Sequence, residues 1–221
     1  MPEKIRRVGI IREEKQMRKT KSKNEWLRRQ KKDIYVQASR REGFRSRAAF
    51  KLIELNNKFK FIKKNSNFLE LGSSPGGWSQ VASKIITKGK ILSIDLKPME
   101  PLKNVTFIKG NIFEITTKEK IKEFFSDDLD IIVSDMAADT TGSKSLDAIR
   151  TNQLCMEVMD FSKKILKPNG VFVSKLFMGE DFEELKNLAK STFQNINFFK
   201  PESSRDESKE TYLHCNILKT L

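Results

Sequence analysis

The sequence predicts a doubly wound α/β domain, an open and mostly parallel sheet with helices on both faces. Short apolar segments alternate with amphipathic helical segments from about residue 67 onward. A glycine-rich turn follows the first apolar segment, and charged residues end several of the later ones. This alternation is typical of parallel strands joined by right-handed helical crossovers. The 221 residues are enough for one such core and an appended segment.

The appended segment is a basic N-terminal arm at residues 1–40, which we separate from a domain at 41–221. The formal net charge is +14, and residues 1–47 hold 17 Lys and Arg against 6 Asp and Glu, whereas residues 48–221 hold 26 against 23. So polar an arm buries too little apolar surface to order alone, apart from a short helix predicted at about 26–36. Its charge indicates a polyanionic partner bound through phosphates, with a merely solubilising tail as the alternative.

The composition also narrows the class of protein. The sequence contains no run of 18 apolar residues and no signal-peptide core, so we expect a soluble cytoplasmic protein that does not bind membranes. Cys155 and Cys215 are too few for a disulfide framework or a zinc site, and we expect both to pack in the core without a metal. The nearly balanced body predicts a monomer.

Each element is predicted from the spacing of its apolar residues. Short apolar runs bounded by turn residues indicate buried strands, and apolar residues three or four apart indicate helices with one buried face. Ser46 is a suitable N-cap for the first helix of the domain, and residues 167–170 form a turn before the fifth strand. The predicted elements are helices at 47–59, 77–86, 118–125, 147–166 and 181–192, and strands at 67–71, 90–95, 105–109, 129–135, 171–175, 196–199 and 211–218.

The glycine-rich turn indicates a ligand at the carboxyl ends of the strands, where open α/β sheets bind their ligands. The Gly-x-x-x-Gly-Gly spacing of Gly72, Gly76 and Gly77 is neither the dinucleotide fingerprint nor a P-loop. Asp95 ends the next strand, about 20 residues further on, where an acid can accept hydrogen bonds from both hydroxyls of a ribose. The alternative is a turn or capping role for Asp95.

Strands four and five end in the charged residues Asp135 and Lys175, which the topology places at the same crevice. They are either reactive groups or a structural ion pair, and their spacing favours neither. His214, the only histidine, is a rival base. It lies within the last strand, where a packed or solvent-facing side chain is the favoured interpretation.

Taken together, these motifs resemble the FtsJ/RrmJ (RlmE) family of S-adenosylmethionine-dependent ribosomal RNA 2′-O-methyltransferases. The resemblance extends over roughly residues 35–218. Several motifs in matching order are more specific than any one of them. It is carried by residues 45–52, 71–80, 95–99, 133–137, 172–177, 200–205 and 208–212.

The resemblance implies a Rossmann-like, seven-stranded, mostly parallel sheet of the methyltransferase type, with the last strand antiparallel. Two positions depart from the family pattern: Asn111 stands where aspartate is usual, and residues 137–139 read Ala-Ala-Asp where Ala-Pro-Asn is common. The resemblance implies a catalytic set of Lys51, Asp135, Lys175 and Glu210, and S-adenosyl-L-methionine contacts at Gly72, Pro75, Gly76, Gly77, Trp78, Asp95, Asn111 and Asp135.

These residue types suit methyl transfer to a ribose 2′-hydroxyl, which is a poor nucleophile until its proton is removed. An unperturbed lysine is neutral only about once in 2,500 at pH 7, a cost of roughly 4.6 kcal/mol. Burial and the charge of Lys51 lower the pKa of Lys175, whereas Asp135 and Glu210 raise it, so the sequence gives no net direction. We hypothesise that Lys175 is the general base, that Asp135 orients it, and that Lys51 and Glu210 position the ribose.

The predicted activity is therefore 2′-O-methylation of a uridine in 23S-type large-subunit ribosomal RNA, with the large ribosomal subunit as partner. A related enzyme acting on transfer RNA or organellar ribosomal RNA is the nearest alternative, and a non-catalytic ribosome assembly factor is the second. Phosphate contacts cannot separate the RNA substrates, because they carry no sequence information. The predicted phosphate contacts, otherwise a solvated face, are Arg40, Arg41, Arg45 and Arg47.

Overall fold

The structure, a computed structural model, describes residues 33–126, 129–205 and 207–219. The described residues fall into two compact units, with the boundary between residues 43 and 44. Residues 1–32 of the basic arm predicted at 1–40 lie outside the described residues. The first part of the helix predicted at 26–36 lies outside them as well.

Helix α1 (Ile34–Arg41) is the one helix described in the first unit. It begins after Asp33, whose Oδ1 accepts the backbone N–H groups of Tyr35 at 3.1 Å and Val36 at 3.2 Å. Arg40 and Arg41 form the last turn of α1, where cations are stabilised by the helix dipole.

The second unit contains a single seven-stranded sheet, in the order β3-β2-β1-β4-β5-β7-β6. Neighbouring strands from β3 to β5 pair in parallel, and β7 pairs antiparallel with both β5 and β6. The predicted mostly parallel sheet with an antiparallel last strand is confirmed. The strands are β1 (Phe68–Leu71), β2 (Ile91–Asp95), β3 (Thr106–Lys109), β4 (Leu129–Ser134), β5 (Leu166–Phe177), β6 (Phe193–Phe199) and β7 (Glu210–Leu218).

Five helices are described in the second unit, one before β1 and four that connect strands, and several of their ends differ from the predicted ones. Ser46 does not cap the first of them, which begins after Arg47 without a side-chain cap. The strand β5 takes in the turn predicted at 167–170, with a register irregularity against β4. The helices are α2 (Ala48–Phe59), α3 (Gly77–Ile85), α4 (Ile115–Phe125), α5 (Lys144–Ser162) and α6 (Phe182–Thr192).

The core lies on both faces of the sheet. Successive residues of β4 alternate between them: Ile132 packs with residues of α4, α5 and α6, whereas Ile131 and Val133 pack with residues of α2 and α3. A strand that is apolar on both sides needs helices on both sides, so the doubly wound prediction is confirmed. Cys155 and Cys215 are buried free thiols in this core, as predicted.

The carboxyl group of Glu70 is buried within the sheet. Glu70, in the middle of β1, is 2 % exposed and accepts hydrogen bonds from the hydroxyls of Ser79 and Ser93. Burial raises the pKa of Glu70 to about 7 despite these hydrogen bonds. The folded protein thus takes up a proton here at a higher pH than the unfolded chain does.

His214 is packed in the core, which confirms the favoured interpretation. Its ring stacks on Phe59 with centroids 4.0 Å apart and an interplanar angle of 7°. Neither ring nitrogen has a hydrogen-bond partner among the described residues. Burial lowers the pKa of His214 to about 4, so at neutral pH this histidine is an uncharged aromatic.

Among residues 33–126, 129–205 and 207–219, no helix is long and apolar enough to cross a membrane.

The pKa of His214 predicts a loss of stability in acid. Below pH 6.5 the unfolded chain binds a proton at this position, whereas the folded protein does not until about pH 4. Stability therefore falls as the pH drops through this window, by about 3 kcal/mol in total at 1.36 kcal/mol per pH unit. Urea unfolding of His214→Phe and of the unsubstituted protein, at each pH between 4 and 8, measures this contribution.

The comparison must be a difference, because Glu70 contributes with the opposite sign between pH 7 and 4.5. Relative to the unsubstituted protein, His214→Phe should gain stability steadily as the pH falls from 6.5 to 4. A difference that does not change with pH would show that His214 is not held neutral.

Candidate active site

The glycine turn after β1 lies at the carboxyl edge of the sheet, beside the point where the strand order reverses between β1 and β4. Gly72 has a φ of +76°, and a Cβ atom there would lie 2.8 Å from Cγ and 2.9 Å from the backbone nitrogen of Met136. Only glycine permits both the backbone conformation and the close approach. The turn therefore lies against the segment that leaves β4.

Arg45 holds the turn from outside. Its guanidinium donates to the carbonyl oxygens of Pro75 at 3.2 Å, Glu100 at 2.7 Å and Pro101 at 2.9 Å. Its backbone N–H donates to Oε1 of Gln80 at 2.7 Å. A side chain for which the sequence predicts a phosphate contact thus links the glycine turn to the segment after β2. The phosphate contact itself stays a prediction.

Asp95 fixes the same turn from inside. Its Oδ2 accepts the N–H of Ser74 at 2.8 Å, and its Oδ1 accepts the N–H of Lys97 at 2.8 Å. The turn role that the sequence left open is therefore real. Each carboxylate oxygen still has a lone pair for a second donor, so a ribose role for Asp95 is compatible with it.

Two other predicted cofactor positions occupy different environments. Trp78 is 2 % exposed, and its indole N–H donates to the carbonyl oxygen of Ala48 at 2.7 Å. The Trp78 side chain packs in the core, so a ligand contact at this position would be made by the backbone of Trp78. Asn111 follows β3, and its Oδ1 accepts the N–H of Phe113 at 3.0 Å.

The structure brings the four predicted catalytic residues together in one chain of alternating charges. Lys51 of α2 lies 2.6 Å from Oε1 of Glu210, and Lys175 lies 3.7 Å from Oε2 of the same carboxylate. Nζ of Lys175 is also 2.6 Å from Oδ1 of Asp135 and donates to its backbone carbonyl at 2.9 Å. The exposed fractions of these side chains lie between 9 and 17 %.

The sheet register explains this meeting. Asp135 follows β4, and its backbone N–H still donates to Leu71 at the end of β1. Lys175 pairs with Tyr212 across β5 and β7, and Glu210 is two residues from Tyr212. Residues two apart on a strand share a face, so Glu210 and Tyr212 lie on the side of β7 that carries Lys175.

Sequence reasoning did not identify two residues that support the four. The hydroxyl of Tyr212, a fully buried residue, donates to Oδ1 of Asp135 at 2.6 Å. The hydroxyl of Ser204 donates to Oε1 of Glu210 at 2.9 Å. Both lie within the motifs at 200–205 and 208–212, which is the only signal that could have found them.

The pKa shifts follow from burial and neighbouring charge. For Asp135, burial raises the pKa, but the charges of Lys175 and Lys51 outweigh it and the net shift is downward. For Lys175, burial lowers the pKa, but Asp135 and Glu210 outweigh it and the net shift is upward. Lys175 is therefore an ammonium in the free protein. The distances thus give the direction of its pKa shift, which the sequence left open.

The predicted RNA contacts divide between the two units. Arg40 and Arg41 are exposed on α1, in the unit that ends at residue 43. Arg47, at the start of α2, donates to the carbonyl oxygen of Ser203. Their contacts with phosphate stay predictions.

The close approach at Gly72 predicts a large effect of a single methyl group. Gly72→Ala adds both an unfavourable φ, at about 1–2 kcal/mol, and the contact with Met136, at about 1–3 kcal/mol. Gly142 is the matched control, since its φ is +96° and nothing lies within 4 Å of its Cβ position. Urea unfolding should show that Gly72→Ala loses at least about 1 kcal/mol more than Gly142→Ala. Equal losses would mean that the turn can shift away from Met136 without a further cost in stability.

Known proteins share both the sequence and the fold. The model of the FtsJ-like methyltransferase family matches residues 44–217. A curated relative from Pelagibacter ubique (strain HTCC1062), named Ribosomal RNA large subunit methyltransferase E, is 47% identical over 203 residues, covering 92% of this chain and 100% of its own length. A crystal structure described as a ribosomal RNA methyltransferase from Plasmodium falciparum has a TM-score of 0.71 at 36% identity, and covers 79% of this chain and 98% of its own.

A more distant structure, human methyltransferase-like protein 13 in complex with SAH, has a TM-score of 0.53 at 16% identity, covering 76% of this chain and 79% of its own. This likeness shows the fold alone. The family match spans nearly all of the second unit, including the glycine turn and all four charged residues. This chain belongs to the FtsJ-like methyltransferase family.

Proposed function

We propose that this protein is an S-adenosylmethionine-dependent methyltransferase that modifies the ribose 2′-hydroxyl of a uridine in large-subunit ribosomal RNA. The observation that carries the proposal is the buried chain Lys51–Glu210–Lys175–Asp135, which lies beside the glycine turn. The names of the curated relatives support methylation of ribosomal RNA. The SAH complex of the human protein with the same fold supports the cofactor.

The residues at the turn fit this cofactor. Gly72 and Gly76 have positive φ angles, which glycine adopts readily because it has no Cβ atom, so no side chain at these two positions obstructs a ligand. Asp95 offers two carboxylate oxygens, each with only one backbone donor, to the two hydroxyls of a ribose. The Asn111 amide, whose oxygen is engaged by Phe113, has NH₂ donors for a base edge. When bound, the cofactor supplies an electrophilic methyl group on a sulfonium.

Lys175 is the proposed general base, and its surroundings define what it must do. As an ammonium it has three N–H donors, and the two short contacts with Asp135 use two of them. The third donor faces the longer 3.7 Å contact with Glu210. After losing one proton, Lys175 can keep both contacts with Asp135 and offer its lone pair to the acceptor hydroxyl.

This deprotonation has a cost that the reaction must meet. An unperturbed lysine costs roughly 4.6 kcal/mol to neutralise at pH 7, and the raised pKa of Lys175 increases this value. A second cation near the amine lowers its pKa. Lys51, which pairs with the Glu210 carboxylate that also contacts Lys175, is such a cation. The hydroxyl of Tyr212 keeps Asp135 oriented toward Lys175.

The remaining parts of the proposal concern RNA and location. Arg40, Arg41, Arg45 and Arg47, together with the basic segment before residue 33, are the proposed phosphate contacts. These contacts give affinity without choosing a sequence. The proposal carries with it the large ribosomal subunit as partner, a cytoplasmic location and a monomeric enzyme.

A complementation experiment tests the proposal. In a strain that lacks this gene, expression of the unsubstituted protein should restore one 2′-O-methyluridine in large-subunit ribosomal RNA, detected by ribose-methylation mapping. Lys175→Ala should restore none, because no base then faces the acceptor. Lys167→Ala is the matched control, since it removes a lysine from the same strand that pairs with Asp130 at 2.9 Å; it should restore full methylation.

Two further measurements separate the alternatives. Because Lys175→Ala leaves two buried carboxylates with one cation, its unfolding free energy and its calorimetric affinity for S-adenosylmethionine must be measured as well. Near-normal cofactor binding with no methylation supports the role of Lys175. Methylation found in transfer RNA would favour the related enzyme, and a protein that binds no S-adenosylmethionine would be an assembly factor.

A further inference from the structure

A cleft of about 560 Å³ opens at the carboxyl edge of the sheet, outside every cofactor position predicted from the sequence. Its walls are the segment after β4, the first turns of α5, the end of β5 and the residues before β7. A volume of this size is in the range of small-molecule sites, about 300–1,000 Å³. None of the residues that line it has a part in the proposed reaction.

Three stretches of backbone run from the charged chain into the lining of the cleft. Ala137 lies two residues after Asp135, Phe177 lies two residues after Lys175, and Lys209 precedes Glu210. The β5–β7 ladder extends into the wall, because the N–H of Met178 donates to the carbonyl oxygen of Lys209 at 3.1 Å. A molecule in the cleft therefore lies against the chain segments that carry Asp135, Lys175 and Glu210.

The walls are preformed rather than loose. Asn152 of α5 is fully buried, and its amide nitrogen donates to the carbonyl oxygen of Phe177 at 2.9 Å. Its amide oxygen accepts the N–H of Phe177 at 2.8 Å. The N–H of Ala138 donates to the hydroxyl of Thr151 at 3.2 Å. These contacts fix α5 to both strand ends that border the cleft.

The lining suits a neutral planar molecule and not a phosphate. Two lysines and three acidic residues line the cleft, so it has no excess of positive charge. Its apolar surface comes from alanines, Phe177 and Met178, and Met178 is 42 % exposed. Thr140 and Ser145 add hydroxyls that can donate or accept a hydrogen bond.

The reaction itself requires a place for such a molecule. Lys175 and Glu210 are each only 8 % exposed, so a 2′-hydroxyl must enter the crevice to reach them. A nucleotide that remains stacked within an RNA helix cannot do so, and enzymes meet this problem by unstacking the target nucleotide. The base is attached to the ribose carbon next to the one that bears the 2′-hydroxyl, so it must lie close to Lys175.

We infer that the cleft holds the unstacked nucleobase of the acceptor nucleotide, with Met178 and Phe177 against its face. This inference rests on the proposed 2′-O-methylation. Contacts between a base face and a protein side chain are worth about 1–3 kcal/mol, which corresponds to a factor of about 5 to 150 in affinity.

A cycle of enzyme and substrate changes tests the inference. The probe is a ribosomal RNA fragment that contains the mapped acceptor, made either with uridine or with an abasic ribose at that position. The enzymes are the unsubstituted protein, Met178→Ala and the control Ile115→Ala, which truncates a more exposed apolar residue at 74 % on α4. Methyl-transfer kcat/KM and the equilibrium Kd for each fragment are measured with all three enzymes.

Removal of the base should weaken binding by about tenfold for the unsubstituted protein and for Ile115→Ala. The same removal should weaken binding by a smaller factor for Met178→Ala, because the part of the contact that Met178 makes is already lost. An equal loss for all three enzymes would overturn the inference. If ribose mapping finds no acceptor, the proposed function fails. If an acceptor is mapped and removal of its base costs all three enzymes the same factor, only the assignment of the cleft fails.

Discussion

The buried ion pair between Lys175 and Asp135 is the contact on which the rest of the site depends. A charge with an exposed fraction of 9 % is costly unless a partner compensates it, and here Lys175 lies in β5 whereas Asp135 directly follows β4. Glu210 and Lys51 extend the compensation to β7 and α2. Removing any one member leaves a buried charge uncompensated, so the packing of four elements and the proposed function depend on the same contacts.

The glycine turn and the charged chain are joined through a single backbone segment. Gly72 lies against Met136, which is the residue after Asp135. The proposed cofactor turn therefore touches the chain next to the carboxylate that holds Lys175. The side chains of Arg45 and Asp95 both form hydrogen bonds with the backbone of the turn, and these bonds set its position.

Apolar spacing predicted the strands and their doubly wound arrangement, because a strand buried on both faces has few possible neighbours. Spacing could not predict that β5 continues past Lys175 to Phe177, since that extension depends on pairing with β7. Tyr212, Ser204 and the contacts of Arg45 required three-dimensional proximity between distant segments. The direction of the Lys175 pKa shift is a balance of opposing effects, and only the distances decide it.

The charge of Lys175 in the free protein is the most direct test of the proposed site. It can be measured by NMR of ¹⁵N-labelled lysine Nζ atoms, with the signal assigned by its loss in Lys175→Arg. We expect Lys175 to remain mostly protonated at pH 10.5, the ordinary lysine pKa, because its own pKa is raised. Glu210→Gln removes one of the two anions near it and should shift the titration to lower pH. A neutral Lys175 at pH 7, or a titration unchanged by Glu210→Gln, would contradict the claim that Asp135 and Glu210 hold Lys175 as an ammonium.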